Sequence, residues 1–518
     1  MNGIVTLDIG TSSIRASLHD ESGEVVFREQ RPTLPRYSAD GRVELEASVW
    51  EGLLPRLLRR VSDEAMQGGI AVGAISITAQ RSSVIAVDAQ GRALRPAIMW
   101  QDLRTAALAA TLAKEEELVF RKTGLRISPV FSAIKMLWLR REEPEVFGKT
   151  QRMLGIQDYV LFLLSGRFVT DESFASRTNL LDLATRRWDP DLIELFEVDP
   201  SMLCDIVAPG SIVGGLLPEI ATATGLLAGT PIVSAGGDQQ CAALGLGLFS
   251  KARVVANTGT GSYLIGHADA PVIDPRMRLS CNVAALPGAY IVEAALPTSG
   301  AIYRWFAELL MARNEGDQKS RRKTEIPADE GPDFASLNAE AKASGPGAGG
   351  VILLPHFKGS GSPHWDTEAR GNFYNLSLST SRGDLARSIL EGIAFELGKG
   401  LDLVQEFCGP VESVAVSGGM SDSELFNHIQ ADVFRKPTIR LASGEATSRG
   451  AWMAGAVAIG LAPDYPGAFA LSTRSAPCER FEPDGKNGDR YAIIRKRADA
   501  LYTALASPDF RQLQTEDR

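Results

Sequence analysis

Short apolar runs on either side of a glycine-containing turn open the chain and predict a β-hairpin. Residues 4–7 and 14–19 have the composition of strands, and the turn 8–13, Asp-Ile-Gly-Thr-Ser-Ser, joins them. About 250 residues later the strand–turn–strand pattern returns in residues 253–265, with Asn-Thr-Gly-Thr-Gly-Ser as its turn. A repeat at this spacing indicates two related domains that each carry one hairpin.

The boundary between the two domains is predicted at Gly247, within a run of small residues. This predicts one domain over residues 1–247 and a second over residues 248–518. The length of 518 residues also favours more than one hydrophobic core.

Strands and helices alternate through both halves, which predicts an α/β fold with mixed sheets. Leu and Ile recur every four residues from Leu385 to Leu401 and mark the buried face of a long helix. Ser421 and Glu424 have capping-box spacing at the start of another helix. Further predicted elements are a buried helix at 159–164 and strands at 25–27, 73–78, 84–87, 230–235 and 414–416.

In residues 313–349 the apolar residues follow neither the period of a strand nor that of a helix. The segment is polar and ends in Gly345-Pro-Gly-Ala-Gly-Gly350. We expect a surface insertion followed by a loop here, and no separate domain.

Composition and charge exclude several classes of protein. An apolar share of 44% and a charged share of 23% are typical of a globular chain. The net charge of −9 argues against nucleic acid or an acidic membrane surface as a partner. The chain opens without a basic leader, and no apolar run reaches the roughly 18 residues of a membrane helix. Five widely spaced cysteines indicate reduced, buried thiols, so we expect a cytoplasmic protein.

The turn 8–13 has the parts of a phosphate site. Its glycine permits backbone N–H groups to converge on an anion, and its three hydroxyls add donors. Asp8 is suited to hold Mg²⁺ directly or through water, and Arg15 in the next strand has the reach to meet a phosphate. An ordinary hairpin would look the same, but the repeat around Gly259 makes the phosphate interpretation more specific.

A second candidate is Asp238, which follows Gly236 and Gly237 at the end of a predicted strand. Ligands of α/β proteins bind at the carboxyl ends of strands. A carboxylate there can accept a hydroxyl proton during phosphoryl transfer. Capping a helix N-terminus explains an aspartate at this position equally well.

Two further groups of residues have the character of a binding site. Gln80-Arg81 follows a strand, and Trp100-Gln101-Asp102 comes about 20 residues later. An aromatic face with an arginine and an acid suits a polyhydroxylated ligand, although surface ion pairing is the alternative. Ser417-Gly418-Gly419 brings backbone close to a ligand, or forms a tight strand–helix turn without one.

Taken in order, these motifs resemble those of the FGGY carbohydrate kinases, the family of glycerol, xylulose, ribulose and gluconate kinases. The resemblance covers about residues 4–459. The motifs that carry it are Asp8-Ile-Gly-Thr-Ser-Ser-Ile-Arg15, Gln80-Arg81, Trp100-Gln-Asp102, Lys135-Met-Leu-Trp138, residues 171–178, Gly237-Asp-Gln-Gln240, residues 257–261, Ser362-Pro-His-Trp-Asp366, Ala369-Arg-Gly371, residues 390–395 and Ser417-Gly-Gly419.

The resemblance implies two actin-like, RNase H-like domains that flank a catalytic cleft, with the sugar on the N-terminal domain and ATP mainly on the C-terminal one. Asp238 becomes the general base and Asp8 the residue that holds Mg²⁺. Positions that face the substrate are Arg81, Trp100, Asp238, Gln239 and Tyr263. Positions that meet ATP are Thr11, Ser12, Ser13, Arg15, Thr260, Gly300, Gly419 and Ser423. The implied partners are a small sugar or polyol and a second copy of the chain in a homodimer.

Departures from the family pattern bear on the substrate. Glycerol kinases follow Gln-Arg with Glu-Thr, whereas this chain has Ser82-Ser83. They also carry Tyr where Val130 precedes Phe131. A ligand that pairs its hydroxyls with that acid and phenol should bind poorly here, and the vacated volume suits a longer chain. The Met-His that is typical of xylulose kinases is absent as well, and Asn375 stands where glycine is usual.

The leading prediction is ATP-dependent phosphorylation of a ketopentose such as xylulose or ribulose, or of a polyol of four to seven carbons, with glycerol as the alternative. An ATP-driven machine of the actin and chaperone superfamily shares the hairpins but lacks the Gly-Gly-Asp-Gln-Gln and Trp-Gln-Asp motifs. Asp8 and Asp238 argue against a sugar-binding regulator without catalysis.

Overall fold

The structure is a computed structural model that describes residues 2–314, 333–441 and 445–515. Its strands are β1 (Asn2–Ile9), β2 (Ser13–His19), β3 (Val25–Pro32), β4 (Arg36–Tyr37), β5 (Val43–Leu45), β6 (Ala71–Ala79), β7 (Ile85–Val87), β8 (Ala97–Ile98), β9 (Arg152–Leu154), β10 (Val169–Asp171), β11 (Leu181–Asp182), β12 (Arg187–Trp188), β13 (Asp205–Val207), β14 (Ser211–Gly215), β15 (Pro231–Gly237), β16 (Arg253–Thr258), β17 (Ser262–Ala268), β18 (Ser280–Val283), β19 (Tyr290–Leu296), β20 (Ile352–Leu354), β21 (Asn372–Tyr374), β22 (Ser413–Ser417), β23 (Thr438–Leu441) and β24 (Cys478–Phe481).

The α-helices alternate with these strands. They are α1 (Ser48–Gln67), α2 (Ala106–Thr111), α3 (Glu116–Thr123), α4 (Ser132–Glu142), α5 (Pro144–Lys149), α6 (Ile156–Ser165), α7 (Glu172–Ala175), α8 (Pro190–Leu195), α9 (Pro218–Thr224), α10 (Asp238–Gly245), α11 (Gly300–Asn314), α12 (Phe334–Ser344), α13 (Arg382–Cys408), α14 (Glu424–Phe434), α15 (Ala446–Ala458), α16 (Tyr465–Thr473), α17 (Gly485–Leu505) and α18 (Pro508–Thr515).

The chain forms two compact units, and both are discontinuous in sequence. The first consists of Met1–Ser250, His267–Val292 and Glu445–Pro477. The second consists of Lys251–Gly266, Glu293–Gly444 and Cys478–Arg518. The predicted α/β fold with mixed sheets is confirmed, whereas the division of domains at Gly247 stays a prediction.

A mixed sheet with the strand order β14-β15-β6-β1-β2-β3 organises the first unit. Strands β15, β6 and β1 are parallel neighbours, and β2, β3 and β14 run antiparallel to the strands beside them. Side chains alternate between the faces of a strand. Val5 and Leu7 therefore join one buried cluster with Trp50 of α1 and Tyr159 of α6, while Ile4 joins another with Trp452 of α15.

Small residues bring α15 close to its neighbours in the first unit. A Cβ atom on Gly450 would lie 1.9 Å from the Cys241 carbonyl oxygen of α10, and one on Gly455 would lie 3.1 Å from Cγ2 of Ile4. The Ser448 hydroxyl lies 2.7 Å from the Thr6 hydroxyl, and Ser76 donates to the Ala451 carbonyl at 2.6 Å. These contacts attach a segment from late in the chain to the first sheet.

In the second unit the strands β19, β17, β16, β22, β23 and β24 follow one another in that order within a sheet. Strand β16 is parallel to β22 and antiparallel to β17. Helix α13 provides much of the core, and its predicted apolar stripe is buried at Ile389, Ile393 and Leu401. It begins at a capping box in which Ser381 and Asp384 exchange hydrogen bonds.

Three expectations about local structure were wrong. Residues 334–344 of the expected loop form α12, whose Leu337 and Ala341 are buried, while residues 315–332 lie outside the described part of the chain. The cap of α14 is Ser423, because the Ser421 hydroxyl donates instead to the Gly418 carbonyl. Cys478 is exposed, unlike the four other cysteines, because it lies on the edge strand β24.

Membrane-spanning segments were sought in the described ranges. Among those residues, no helix combines the length and the apolar character that crossing a bilayer requires.

Candidate active site

The carboxyl ends of three parallel strands meet at one edge of the first sheet. In the register of the sheet, Thr78 of β6 lies beside both Asp8 of β1 and Gly236 of β15. Arg81 follows β6 by two residues, and Asp238 follows β15 directly. The sheet therefore gathers Asp8, Arg81 and Asp238, which are far apart in sequence, at an edge where α/β proteins bind ligands.

Glycines at the end of β15 give Arg81 access to Asp238. Gly236 has φ 117°, a conformation that side chains rarely adopt. A Cβ atom on Gly237 would lie only 2.6 Å from Cδ of Arg81. The Arg81 guanidinium consequently passes over the strand end, where its Nε lies 3.4 Å from Oδ1 of Asp238.

Asp238 is the first residue of α10 and remains accessible. Its Oδ1 accepts a hydrogen bond from the Gln239 N–H at 2.7 Å, and 27% of its side chain is exposed. The helix N-terminus stabilises the charged carboxylate, as does the Arg81 guanidinium. A partly exposed carboxylate beside an arginine is well suited to accept a proton from a hydroxyl.

A buried network below this edge holds Gly237 in place. Asp171 is fully buried, and its carboxylate accepts hydrogen bonds from Ser173, Gln157 and Ser234. The Ser173 hydroxyl in turn accepts the Gly237 N–H at 3.0 Å. In the sequence, Asp171 and Ser173 belonged to a family motif with no assigned role, so the sequence did not predict their positioning function.

The turn after β1 is cross-linked to the residues that follow β6. The Gly10 N–H donates to the Ser13 carbonyl at 2.9 Å, which closes the turn. Thr11 donates to Oε1 of Gln80 at 3.1 Å and accepts the Trp100 indole N–H at 2.9 Å. Thr11, which is predicted to meet ATP, is thus hydrogen-bonded to Trp100, which is predicted to face the sugar.

The other predicted phosphate ligands lie on the same hairpin. Ser12 is exposed, and its carbonyl accepts the Thr33 N–H at 2.8 Å. The Ser13 hydroxyl accepts a hydrogen bond from Gln30 at 3.0 Å, which leaves its own proton available for donation. Arg15 lies opposite Asp8 in the hairpin register, with Nη1 3.6 Å from Oδ2 of Asp8.

Two carboxylates influence each other at this edge. Burial and, to a smaller extent, the negative charge of Asp238 raise the pKa of Asp8 to about 6, and the opposing effect of Arg15 is smaller than either. A divalent cation near both acids would relieve this repulsion. In the described ranges no group of three or more His, Cys, Asp or Glu side chains forms a metal cage. The acids therefore fit Mg²⁺, which usually keeps waters and substrate phosphates as its remaining ligands.

Asp102 has a structural role, which the sequence left open. It is fully buried, accepts the Val43 N–H at 2.6 Å, and forms an ion pair with Arg104 at 2.8 Å. Arg104 also pairs with Glu44 at 2.7 Å and lies over the ring of Trp138. Asp102 consequently anchors the segment that presents Trp100, and the predicted alternative of a surface ion pair was wrong.

A second edge with glycine-rich turns lies in the second unit. Asn257 of β16 lies beside Ser417 of β22 in a parallel register, so the turns that follow both strands are neighbours. A Cβ atom on Gly418 would lie 2.5 Å from the Thr258 carbonyl, and one on Gly300 would lie 2.4 Å from the Gly259 carbonyl. A side chain at Gly418 or Gly300 would collide with a backbone carbonyl. Backbone groups therefore form the surface of this edge.

The residues predicted to meet ATP in this unit surround these turns. The Thr260 carbonyl accepts the Ser299 N–H at 2.9 Å, and the Gly259 carbonyl accepts the Gly300 N–H at 2.9 Å. These two hydrogen bonds hold the start of α11 against the turn after β16. The Thr260 side chain is exposed. Gly419 begins a short 3₁₀ turn, and Ser423 caps α14 through its hydroxyl.

The structure thus divides the predicted site residues into two groups. Those of the first unit are Asp8, Thr11, Ser12, Ser13, Arg15, Arg81, Trp100, Asp238 and Gln239. Those of the second unit are Thr260, Tyr263, Gly300, Gly419 and Ser423. Tyr263 was predicted to face the sugar, yet it belongs to the second unit, on β17, with 38% of the residue exposed. Each of these roles stays a prediction.

Replacing Trp100 with phenylalanine tests how the indole is held. Trp100→Phe removes the donor to Thr11, and a lost neutral hydrogen bond costs about 1 kcal/mol. We expect the KM for a substrate that binds at this edge to rise about 3- to 10-fold. Steady-state kinetics measures the effect, with Trp305→Phe as a matched control at an exposed tryptophan. An unchanged KM would show that this hydrogen bond does not position the indole.

Two strand edges with glycine-rich turns, one of which carries a pair of interacting carboxylates, define the architecture of a phosphotransferase that uses a nucleotide. Two family models agree with this class. The N-terminal domain of the FGGY family of carbohydrate kinases matches residues 3–245, and the C-terminal domain matches residues 254–459. The chain belongs to the FGGY family of carbohydrate kinases, and it is an ATP-dependent phosphotransferase with an alcohol group as acceptor.

Relatives and solved structures extend the comparison over nearly the full chain. The chain is 31% identical to a glycerol kinase of Alkalilimnicola ehrlichii, with 96% of this chain and 98% of the relative covered. It is 32% identical to a glycerol kinase of Geobacter sp. strain M21, over 96% and 97%. The crystal structure of xylulose kinase from Rhodospirillum rubrum is 28% identical and superposes with a TM-score of 0.89, over 98% of this chain and 100% of that one.

Proposed function

We propose that the enzyme transfers the γ-phosphoryl group of ATP to a hydroxyl of a ketopentose, such as xylulose or ribulose, or of a polyol of four to seven carbons. The observation that carries the proposal is the position of Asp238, at a strand end beside Arg81 and close enough to Asp8 to change its pKa. The products are a phosphate ester and ADP. Because the reaction consumes ATP, the proposal includes a cytoplasmic location, and a homodimer stays a prediction.

Asp238 acts as the general base in this proposal. As the substrate oxygen attacks phosphorus, its proton passes to the carboxylate, and the bond between the γ-phosphorus and the bridging oxygen breaks. Arg81 orients the carboxylate through the contact at 3.4 Å, and its guanidinium is suited to donate to substrate hydroxyls. Trp100 supplies a flat face for C–H groups, and Gln239 and Tyr263 add polar contacts.

Residues predicted to bind the nucleotide occur in each of the two units. The predicted ligands of the first unit are Thr11, Ser12, Ser13 and Arg15, and those of the second are Thr260, Gly300, Gly419 and Ser423. Mg²⁺, when bound, neutralises charge on the phosphates, and Asp8 is the residue that would hold it. The raised pKa of Asp8 supports this role, since a bound cation favours the ionised carboxylate.

We expect two positions, Ser82 and Val130, to favour the proposed substrates over glycerol. The Ser82 hydroxyl donates to the Arg177 carbonyl at 3.3 Å, and the Arg177 guanidinium lies over the Phe131 ring. Ser82 and the loop that contains Val130 are therefore neighbours around Arg177. Lys135, fully buried, donates to the carbonyls of this loop, so Val130 is held in a fixed backbone.

Glycerol kinase activity is the second candidate, since the relatives named above are glycerol kinases. We expect kcat/KM for glycerol to be at least about 10-fold lower than for the best ketose or longer polyol. The reason is that serine and valine replace the acid and the phenol that pair with glycerol hydroxyls. An ADP-release assay over polyols, ketopentoses, hexuloses, gluconate and glycerol measures this. If glycerol proves the best substrate, the assignment from Ser82 and Val130 is wrong.

A further inference from the structure

Strand β15 contains a β-bulge just before Asp238. Its register against β6 shifts between Ser234 and Gly236, so Ala235 is an extra residue in that pairing. Gly236, inside the bulge, has φ 117°. An extra residue bends a strand and re-aims the side chains beside it, and bulges are frequent next to active sites. The bulge therefore sets the direction in which Asp238 leaves the end of the strand.

One carboxylate, that of Asp171, is connected to β15 on both sides of this bulge. Before the bulge, the Ser234 hydroxyl donates to Oδ2 of Asp171 at 2.6 Å. After the bulge, the Gly237 N–H donates to the Ser173 hydroxyl at 3.0 Å. That hydroxyl donates its own proton to Oδ1 of Asp171 at 2.5 Å. The two oxygens of a single side chain thus hold the strand in front of Gly236 and behind it.

Capping a helix is the simpler explanation for Asp171, but it accounts for only part of this geometry. Its Oδ1 accepts the N–H groups of Ser173 at 2.8 Å and Phe174 at 3.2 Å, which caps α7. The bonds from the hydroxyls of Ser234 and Ser173 are additional, and both lead to β15. Asp171 is fully buried, and hydrogen bonds are stronger in such a low-dielectric environment. The carboxylate therefore joins the start of α7 to the bulge.

We propose that Asp171 is a positioning residue for phosphoryl transfer, which holds the bulge of β15 so that Asp238 is directed at the substrate hydroxyl. The inference rests on the proposed function, in which Asp238 is the general base. Asp171 acts through Ser173 and Gly237 and contacts neither substrate. A misplacement of about 1 Å can cost about 100-fold in rate, so a break in this connection should lower kcat more than it weakens binding.

Ser173→Ala tests the proposal because it cuts the connection between Asp171 and Gly237. The backbone N–H groups that cap α7 remain in place. We expect kcat to fall about 10- to 100-fold and the KM for ATP to stay within about 3-fold of wild type. The measurement is ADP release with glycerol, xylitol, D-xylulose or D-ribulose, whichever wild type phosphorylates fastest.

Ser176→Ala is the matched control. Ser176 is also a buried serine whose hydroxyl accepts a backbone N–H, in this case that of Val283 at 3.2 Å. Scanning calorimetry should show that the two variants lower the Tm by similar amounts, while only Ser173→Ala lowers kcat and the control stays within about 3-fold of wild type. Equal kcat values in the two variants would show that the network stabilises the fold alone, and the inference would be wrong.

Ser234→Ala is a second variant in case Ser173→Ala does not fold, since it removes the connection in front of the bulge. We expect kcat to fall at least about 3-fold. Hydrogen exchange of residues 231–245, followed by mass spectrometry without ligands, reports on the bulge independently of turnover. Exchange there should be faster in Ser173→Ala and Ser234→Ala than in wild type or Ser176→Ala. Unchanged exchange in both variants, or faster exchange with a wild-type kcat, would each overturn the inference.

The outcomes also separate this inference from the proposed function. If wild type releases ADP with none of the four probes, the proposed function is wrong and the role of Asp171 in transfer is wrong with it. If wild type is active and both Ser173→Ala and Ser234→Ala keep its kcat, only the inference about Asp171 is wrong.

Discussion

Asp238→Asn is expected to lower kcat by about 10²–10⁴ while binding of ATP stays nearly unchanged. An amide has nearly the shape of a carboxylate but cannot accept the proton that the substrate hydroxyl loses. The amide oxygen can still accept the Gln239 N–H, so the start of α10 should be preserved. The loss therefore reports on proton transfer and on the charge of the group.

Single-turnover phosphorylation at saturating sugar and ATP measures the chemical step without the contribution of product release. Asp464→Asn is a matched control, since Asp464 caps α16 in the same unit and asparagine caps helices as well as aspartate. We expect the control to stay within about 3-fold of wild type. Near-wild-type turnover by a folded Asp238→Asn protein would remove Asp238 from the role of base.

Much of the fold could be predicted from local sequence patterns, because apolar strand segments are separated by turns that contain glycine. The predicted strands at 4–7, 14–19 and 73–78 lie within β1, β2 and β6. Helix α12 was missed because only Leu337 and Ala341 are buried along it, which is too weak an apolar stripe to recognise. Its cap, Asp333, also lies directly after a Gly-Pro sequence that is typical of loops.

Contacts between segments that are distant in sequence were harder to predict. The return of the segment 445–477 to the first unit depends on the contacts of Gly450 and Gly455 with distant residues, and no local pattern encodes such contacts. The position of Asp238 at a strand end followed from Gly236 and Gly237. Its proximity to Arg81 and Asp8 follows only from the register of three parallel strands.

The role of single acids was hardest to predict. Asp102 and Asp238 each stand next to a glutamine in the sequence, yet Asp102 is fully buried in an ion pair with Arg104. Burial and pairing distinguish these acids, and neither quantity is a property of the local sequence.

Asp8→Asn should give the second large effect, with opposite consequences for stability and activity. The pKa of Asp8 rises from 3.8 to about 6 on folding. A carboxyl whose pKa is raised on folding destabilises the folded state once the pH exceeds the unfolded value, and the penalty is complete above about pH 6. Two pKa units correspond to about 3 kcal/mol, so asparagine, which does not ionise, should recover part of this energy at pH 7.5 and less at pH 5.

The activity of Asp8→Asn should fall by about 10²-fold or more, because an amide holds Mg²⁺ less firmly than a carboxylate and transition-state charge on the phosphates is then less well neutralised. Scanning calorimetry at pH 7.5 should show a higher Tm for the ligand-free variant than for wild type, with Asp464→Asn as the control. Adding Mg²⁺ should raise the Tm of wild type and leave that of Asp8→Asn unchanged, because only wild type keeps the interacting pair of carboxylates. A lower Tm for the variant at pH 7.5 would contradict the electrostatic account of Asp8. Full activity with Mg²⁺ would contradict its role in holding the metal.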